Sequence, residues 1–226
     1  MEYPKINSLW KRQGWYFDDN KKKDPEYQSG RQSFIIGDYA EPAFGNIKEW
    51  LVDEKIDGTN VRIMWQRPFT GGPHDVSFGG RTDNAQMPPR LLQVLQELFP
   101  FEKCLQEFSS AERVIMFGEG YGPKIQSCGG NYRNDIGFIL FDIYIDGWWL
   151  QRKDVKEIAK RLCVDVVPEL GLMTEVQVEN YVKSKPMSLC SNIPQMMEGV
   201  VCREPNGLLL RKKSPIMWKL KCKEFV

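Results

Sequence analysis

Seven short runs of clustered or alternating apolar residues, at 61–66, 75–79, 112–118, 137–145, 198–203, 207–211 and 215–222, dominate this chain and constrain its fold most. Only two stretches have clear helical spacing. Residues 89–99 place Leu91, Leu95, Leu98 and Phe99 on one face, and residues 152–163 do the same with Val155, Ile158, Ala159 and Leu162. Residues 174–184 are a third candidate helix. Strand-like runs therefore outnumber helices and fall into hairpin-like pairs. That pattern predicts an α+β domain with mainly antiparallel sheets flanked by helices, not a parallel βαβ fold. With 226 residues the chain can bury a substantial core, and one domain over residues 1–226 is expected.

Several function classes are excluded early. The most apolar stretch, GFILFDIYIDGWWL (137–150), is interrupted by Asp142 and Asp146, so no segment is expected to span a membrane. The first residues, MEYPKINSLW, carry neither a basic region nor an apolar one of the kind a secretory leader needs. Six cysteines lie scattered without a C-x-x-C pair, which predicts free thiols in a reducing cytoplasm and no structural zinc. The one histidine, His74, sits in a Gly- and Pro-rich loop, GGPHDV, which argues against Ser-His or Cys-His catalysis. The charged stretch DDNKKKDPEYQSGRQ (18–32) reads as a surface loop. Net charge is only +1 overall, yet residues 203–226 carry seven basic side chains against Glu204 and Glu224. Such a segment is either a solvated basic face or a surface for phosphates.

The residues that can carry chemistry begin at DEKIDGTNVRIMW (53–65). Trp50, Leu51 and Val52 lead into Lys55, an Asp57-Gly58 turn follows, and Val61, Ile63 and Trp65 then alternate with polar neighbours. A strand, a turn and a second strand predict a hairpin with Lys55 at its turn, which by itself is ordinary. Further short motifs follow in a fixed order, each at a strand edge: GGRTD (79–83), FGEGYG (117–122), FILFDIY (138–144), EGVV (198–201) and WKLK (218–221). Alternation along 218–221 puts Lys219 and Lys221 on one face with Leu220 buried opposite, so both amines can converge on one phosphate. Positive charge near an amine disfavours its protonated form, so these lysines and a bound Mg²⁺ would help make Lys55 a nucleophile.

In motif order and content, roughly residues 50–222 resemble the covalent nucleotidyltransferases: ATP-dependent DNA ligases, RNA ligases and messenger-RNA capping enzymes. The E-K-x-x-G-T-N form, and a chain that stops soon after WKLK, look most like the RNA ligase branch. The resemblance implies the nucleotidyltransferase (ATP-grasp-like) fold of ligase and capping catalytic domains. It also implies an ATP-dependent activity joining 5′-phosphate and 3′-hydroxyl ends of RNA through a lysyl-AMP intermediate on Lys55. Nucleotide contacts would come from Glu54, Lys55, Asn60, Arg81, Glu119, Phe141, Lys219 and Lys221, with Phe141 stacking on the purine and Phe138 in the core. Glu198 would hold the metal, Mg²⁺ or Mn²⁺.

Asn60 agrees with RNA ligases where DNA ligases commonly carry arginine, whereas Asp57 agrees with the wider superfamily, so a minimal DNA ligase stays open. A non-catalytic module that binds nucleotides or nucleic-acid ends is the reading from another class. The glycine-rich stretch 117–133, with Tyr121, Lys124, Tyr132 and Arg133, is expected to wall the site and meet the nucleic-acid end. Arg211 and Lys212 are further candidates for that contact. No oligonucleotide-binding barrel is expected after residue 221, so either these basic elements grip the RNA or DNA ends or an accessory protein supplies a second clamp.

Overall fold

The computed structural model describes residues 1–12, 34–67 and 76–225. Both the 18–32 loop and His74 lie outside the described residues. In chain order the strands are β1 (Asn7–Ser8), β2 (Trp10–Arg12), β3 (Phe34–Tyr39), β4 (Trp50–Lys55), β5 (Thr59–Gln66) and β6 (Val76–Gly79). They continue with β7 (Arg113–Tyr121), β8 (Gly137–Ile145), β9 (Trp148–Trp149), β10 (Asp165–Val166), β11 (Glu169–Met173), β12 (Gly199–Arg203) and β13 (Met217–Lys221). The helices are α1 (Pro89–Leu98), α2 (Phe101–Glu107), the single turn α3 (Gly129–Tyr132), α4 (Arg152–Arg161) and α5 (Glu175–Lys183).

Local chemistry accounts for the helices. Pro89 occupies the first turn of α1, where its missing N–H costs nothing, and Leu91 and Leu95 fall on the buried side. For α5, Thr174 accepts a hydrogen bond from the Gln177 N–H while the Gln177 side chain accepts from the Thr174 N–H, a capping box that makes the third candidate helix real.

Two sheets face each other. One has the order β1-β13-β12-β4-β11, the other β10-β8-β7-β5-β6 with β9 added to β8, and all but two pairings in them are antiparallel. The outer face of the six-stranded sheet packs Val61, Ile63, Met116 and Leu140 on Leu91, Leu95, Val155 and Ile158 of the helices. On the other side, Trp50, Val52, Val200, Trp218 and Leu220 form a second core with Val178 and Val182 of α5. The α+β expectation holds. Among the described residues no helix is long and apolar enough to cross a membrane.

Two expectations need correction. The 207–211 run is not a strand: only Leu209 pairs, in an isolated bridge with Pro215, because the chain turns back at residues 210–214. Lys55 does not sit in a hairpin either. β4 pairs with β11 and β12, β5 pairs with β6 and β7, and the turn between them carries the chain from one sheet to the other. A Cβ on Gly58 in that turn would stand 2.4 Å from the Gly120 carbonyl oxygen, so the crossing requires glycine.

Candidate active site

Lys55 ends β4 at the mouth of the cleft between the sheets. Side chains alternate along β4, so Asp53 and Lys55 face the cleft while Glu54 faces the opposite side. Across the sheet Lys55 lies opposite Gly199, which lies opposite Lys221, and Asp53 aligns in the same way with Val201 and Lys219. The row is tightly packed: a Cβ on Gly199 would come within 2.1 Å of the Leu220 carbonyl oxygen. Glu198, just before it, places one carboxylate oxygen 2.6 Å from Lys55 Nζ and the other 2.6 Å from Lys221 Nζ.

A cavity of about 330 Å³ runs inward from Lys55, a size usual for small-molecule sites. The five-stranded sheet contributes Asp53, Lys55, Val201, Arg203 and Lys219; the six-stranded sheet contributes Thr59, Asn60, Glu119 and Phe141. Ile56 and Val167 add apolar wall, and Arg81 reaches in from the loop after β6. Asn60 Oδ1 is buried in this wall with no hydrogen-bond partner in the protein, which leaves an acceptor for a ligand hydroxyl or amine. Thus Lys55, Asn60, Arg81, Glu119, Phe141 and Lys219 converge on one cavity, with Glu198 and Lys221 at its mouth. Phe138 lies in the helix-side core against Phe99, as expected. The register shift between Phe117 and Gly118 falls beside this part of β8.

The electrostatics follow from crowding. Burial pushes the Glu119 carboxyl up to about 8, and nearby Glu198 and Asp57 add to this against the pull of Lys55. Burial, then Lys55, Lys221 and Arg81, lower the Lys219 ammonium against the pull of Glu198. Lys221 moves the other way: although burial works against its charge, the Glu198 hydrogen bond holds it above the ordinary lysine value.

The inner end of the cavity was not foreseen. Arg203 donates to Asp53 at 3.0 Å and to Asp142 at 2.7 Å, tying the two sheets together, while Arg152 of α4 pairs with Asp53 at 3.2 Å. Tyr3 donates to the second oxygen of Asp142 and sets its ring edge-on to Phe141 at 5.0 Å. Residues Tyr3, Pro4 and Ile6 thereby complete the cavity wall. A carboxylate within an apolar strand, as at Asp142, is the sequence signal for such a buried pair; no signal marked the N-terminal residues.

Some expected residues lie elsewhere. Glu54 does not reach the cavity: its carboxylate accepts from Ser188 Oγ at 2.5 Å and the Leu189 N–H at 2.9 Å, tying β4 to the loop behind it. Arg133 donates to Asp135 at 2.7 Å and to the Tyr121 hydroxyl, so its fork is occupied within its own loop. That loop touches the crossing turn, with Tyr132 accepting from the Asp57 N–H and Gln126 donating to the Gly58 carbonyl. Lys124 is exposed, and Arg211 and Lys212 sit on the exposed turn at 210–214, away from the cavity.

A divalent cation fits this mouth in a limited way. Among the described residues no three His, Cys, Asp or Glu side chains cluster as a metal cage. Glu198 supplies a hard oxygen donor, so a cation such as Mg²⁺ would depend on substrate phosphates and water for its other ligands, as that ion commonly does.

Lys55, Glu198, Lys219 and Lys221 thus meet at the mouth of a cavity between two sheets. A model of the RNA ligase family matches residues 48–221, and the chain belongs to that family. Among solved structures, Naegleria gruberi RNA ligase with PPi is 20% identical with a TM-score of 0.57, covering 77% of this chain and 49% of that one. A mutant of that ligase with ATP and Mn is 16% identical with a TM-score of 0.57, covering 97% and 57%. Another, with AMP and Mn, is 18% identical with a TM-score of 0.56, covering 97% and 61%. The chain thus spans about half the length of these relatives and shares their fold. No protein with a curated description matches it.

Proposed function

We propose that the protein is an ATP-dependent RNA ligase, and the placement of Lys55 Nζ at the cavity mouth between Glu198, Lys219 and Lys221 carries the reading. In the first step Lys55, having lost its ammonium proton, attacks the α-phosphorus of ATP: an Nζ–P bond forms and pyrophosphate leaves. In the second, a 5′-phosphate oxygen of RNA displaces Lys55 from that phosphorus, and the amine recovers a proton. A 3′-hydroxyl then attacks the adenylylated 5′-phosphate, forms the new phosphodiester and releases AMP.

The residues act mainly by holding and by charge. Phe141 stacks on the purine against Ile56 and Val167. Asn60 and Glu119, opposite each other on β5 and β7, meet the ribose end, and Arg81 reaches toward the phosphates. Lys219 and Lys221 neutralise the oxygens that gain charge as pyrophosphate departs. A Mg²⁺ or Mn²⁺ ion held by Glu198 would supply further charge neutralisation on those oxygens. Six free cysteines suit a reducing cytoplasm. Outside the cavity, either the basic side chains after Arg203 and those of the 121–133 loop grip the RNA ends or an accessory protein supplies a second clamp.

Incubation with α-labelled ATP and Mg²⁺ is expected to label the protein covalently, with Lys55→Ala abolishing the label and pyrophosphate reversing it. Label retained in Lys55→Ala would refute the assignment. Nicked RNA duplex, single-stranded RNA and nicked DNA should then be compared as substrates; DNA sealed as well as RNA would displace the RNA preference.

A further inference from the structure

A second groove, of about 360 Å³, lies against the first cavity and is as large. Pro4 and Ile6 line both, so the N-terminal segment is a shared wall. Its charged groups are Lys5 and Lys212 against one acid, Glu41. Lys5 and Lys212 are exposed, and among the described residues neither forms an ion pair.

The backbone of the turn that carries Lys212 is also fixed. The buried Glu204 carboxylate accepts from the Asn206 N–H at 2.9 Å, the Asn206 side-chain amide at 2.8 Å and the Leu208 N–H at 2.7 Å. The turn then closes through Leu210 N–H to Ser214 O at 2.9 Å and Lys213 N–H to Leu210 O at 2.8 Å. With the backbone already fixed, only the lysine's own side-chain freedom remains to be lost when it meets an anion. Met217, on the groove wall, begins the same strand that ends at Lys221, roughly 13 Å away at ~3.3 Å per residue. A strand of nucleic acid reaching from Lys221 to the groove would span that separation in a few nucleotides.

We infer that this groove holds a nucleotide of the RNA strand several positions from the junction, with Lys5 and Lys212 on its phosphates; this rests on the ligase reading of the neighbouring cavity. The backbone of a nucleic acid fits better than a free triphosphate, because the groove lies at the far end of the strand from Lys221 and Glu198.

The test uses the full chain and a nicked, 5′-phosphorylated RNA duplex carrying a fluorophore, with binding measured across a salt series without ATP. In the Lys5→Gln/Lys212→Gln variant, affinity should fall and the slope of log K against log salt should flatten by roughly 1.4–1.8, about 0.7–0.9 for each phosphate that is no longer neutralised. Self-labelling by ATP should be unchanged. Glu204→Ala, which frees the turn but keeps every cation, should also weaken RNA binding. Glu41→Gln should tighten it, an outcome that misfolding cannot mimic. An unchanged salt slope in the double variant, or a raised KM for ATP in self-labelling, would overturn the inference while leaving the ligase reading intact. Failure of the wild type to label would instead strike the ligase reading itself.

Discussion

Replacing Arg203 with methionine tests the buried network at the inner end of the cavity. Arg203 makes two charge-assisted hydrogen bonds to side chains that are almost wholly buried, Asp53 on its own sheet and Asp142 on the other. Hydrogen bonds to charged groups contribute about 1.5–3 kcal/mol each, and breaking a buried pair by removing one partner costs about 3–5 kcal/mol. Arg203→Met should therefore lose about 3–5 kcal/mol at pH 7.5 in urea unfolding followed by tryptophan fluorescence. The loss should shrink with acid. Burial already raises the Asp53 carboxyl, with Arg203 and Arg152 pulling it back, so removing Arg203 raises it further. A carboxylate whose folded pKa lies above its unfolded one contributes most at low pH and loses that contribution as pH climbs through the folded value. The deficit at pH 5 should thus be smaller than at pH 7.5, and adding Asp142→Asn should recover part of it. A deficit under about 1 kcal/mol, or one equal at both pH values, would refute a charge network that ties the sheets.

The two phenylalanines of FILFD should separate cleanly. Phe141→Ala, on the cavity wall, should raise the KM for ATP in self-labelling by the roughly 1–3 kcal/mol that stacking on a base contributes, with a small change in melting temperature. Phe138→Ala, in the core, should cost about 3–5 kcal/mol of stability. Glu119, pushed up to about 8, is uncharged at neutral pH while the unfolded chain ionises it, so the wild type should lose about 3 kcal/mol of stability between pH 6 and pH 9 through this group. Glu119→Gln should remove that loss in thermal melts at the two pH values; equal slopes for both proteins would contradict the assignment.

Much of the site was legible because its residues sit in short motifs at strand ends, where alternation alone fixes which side chains share a face. Lys219 and Lys221 flanking a buried Leu220 are the plainest case. Sheet membership was not legible. An Asp-Gly turn between two apolar runs reads as a hairpin, yet the partners of β4 and β5 are chosen by residues some 60–150 positions away, Gly199 for Lys55 and Glu119 for Asn60. The same distance hid the Asp53, Asp142, Arg152 and Arg203 network, whose members look locally like interruptions of apolar strands. Helix α2 was missed because seven residues between Pro100 and Phe108 are too few to show a period. The 207–211 run had strand-like residues, but Glu204 and the turn at 210–214 take up the backbone groups that a ladder would use.

The opposed directions of Glu54 and Lys55 set a rule of parity for this chain. One carboxylate is spent on Ser188 and Leu189 behind the sheet, and one amine is offered in front. A single residue inserted or deleted within β4 ahead of Glu54 would turn the ribbon by half a repeat, presenting an acid where Lys55, the proposed nucleophile, now stands and turning the lysine toward the rear loop. Its length is therefore held more strictly than its composition: a changed side chain in this segment can be graded in its effect, whereas a frame slip of one position abolishes the chemistry outright.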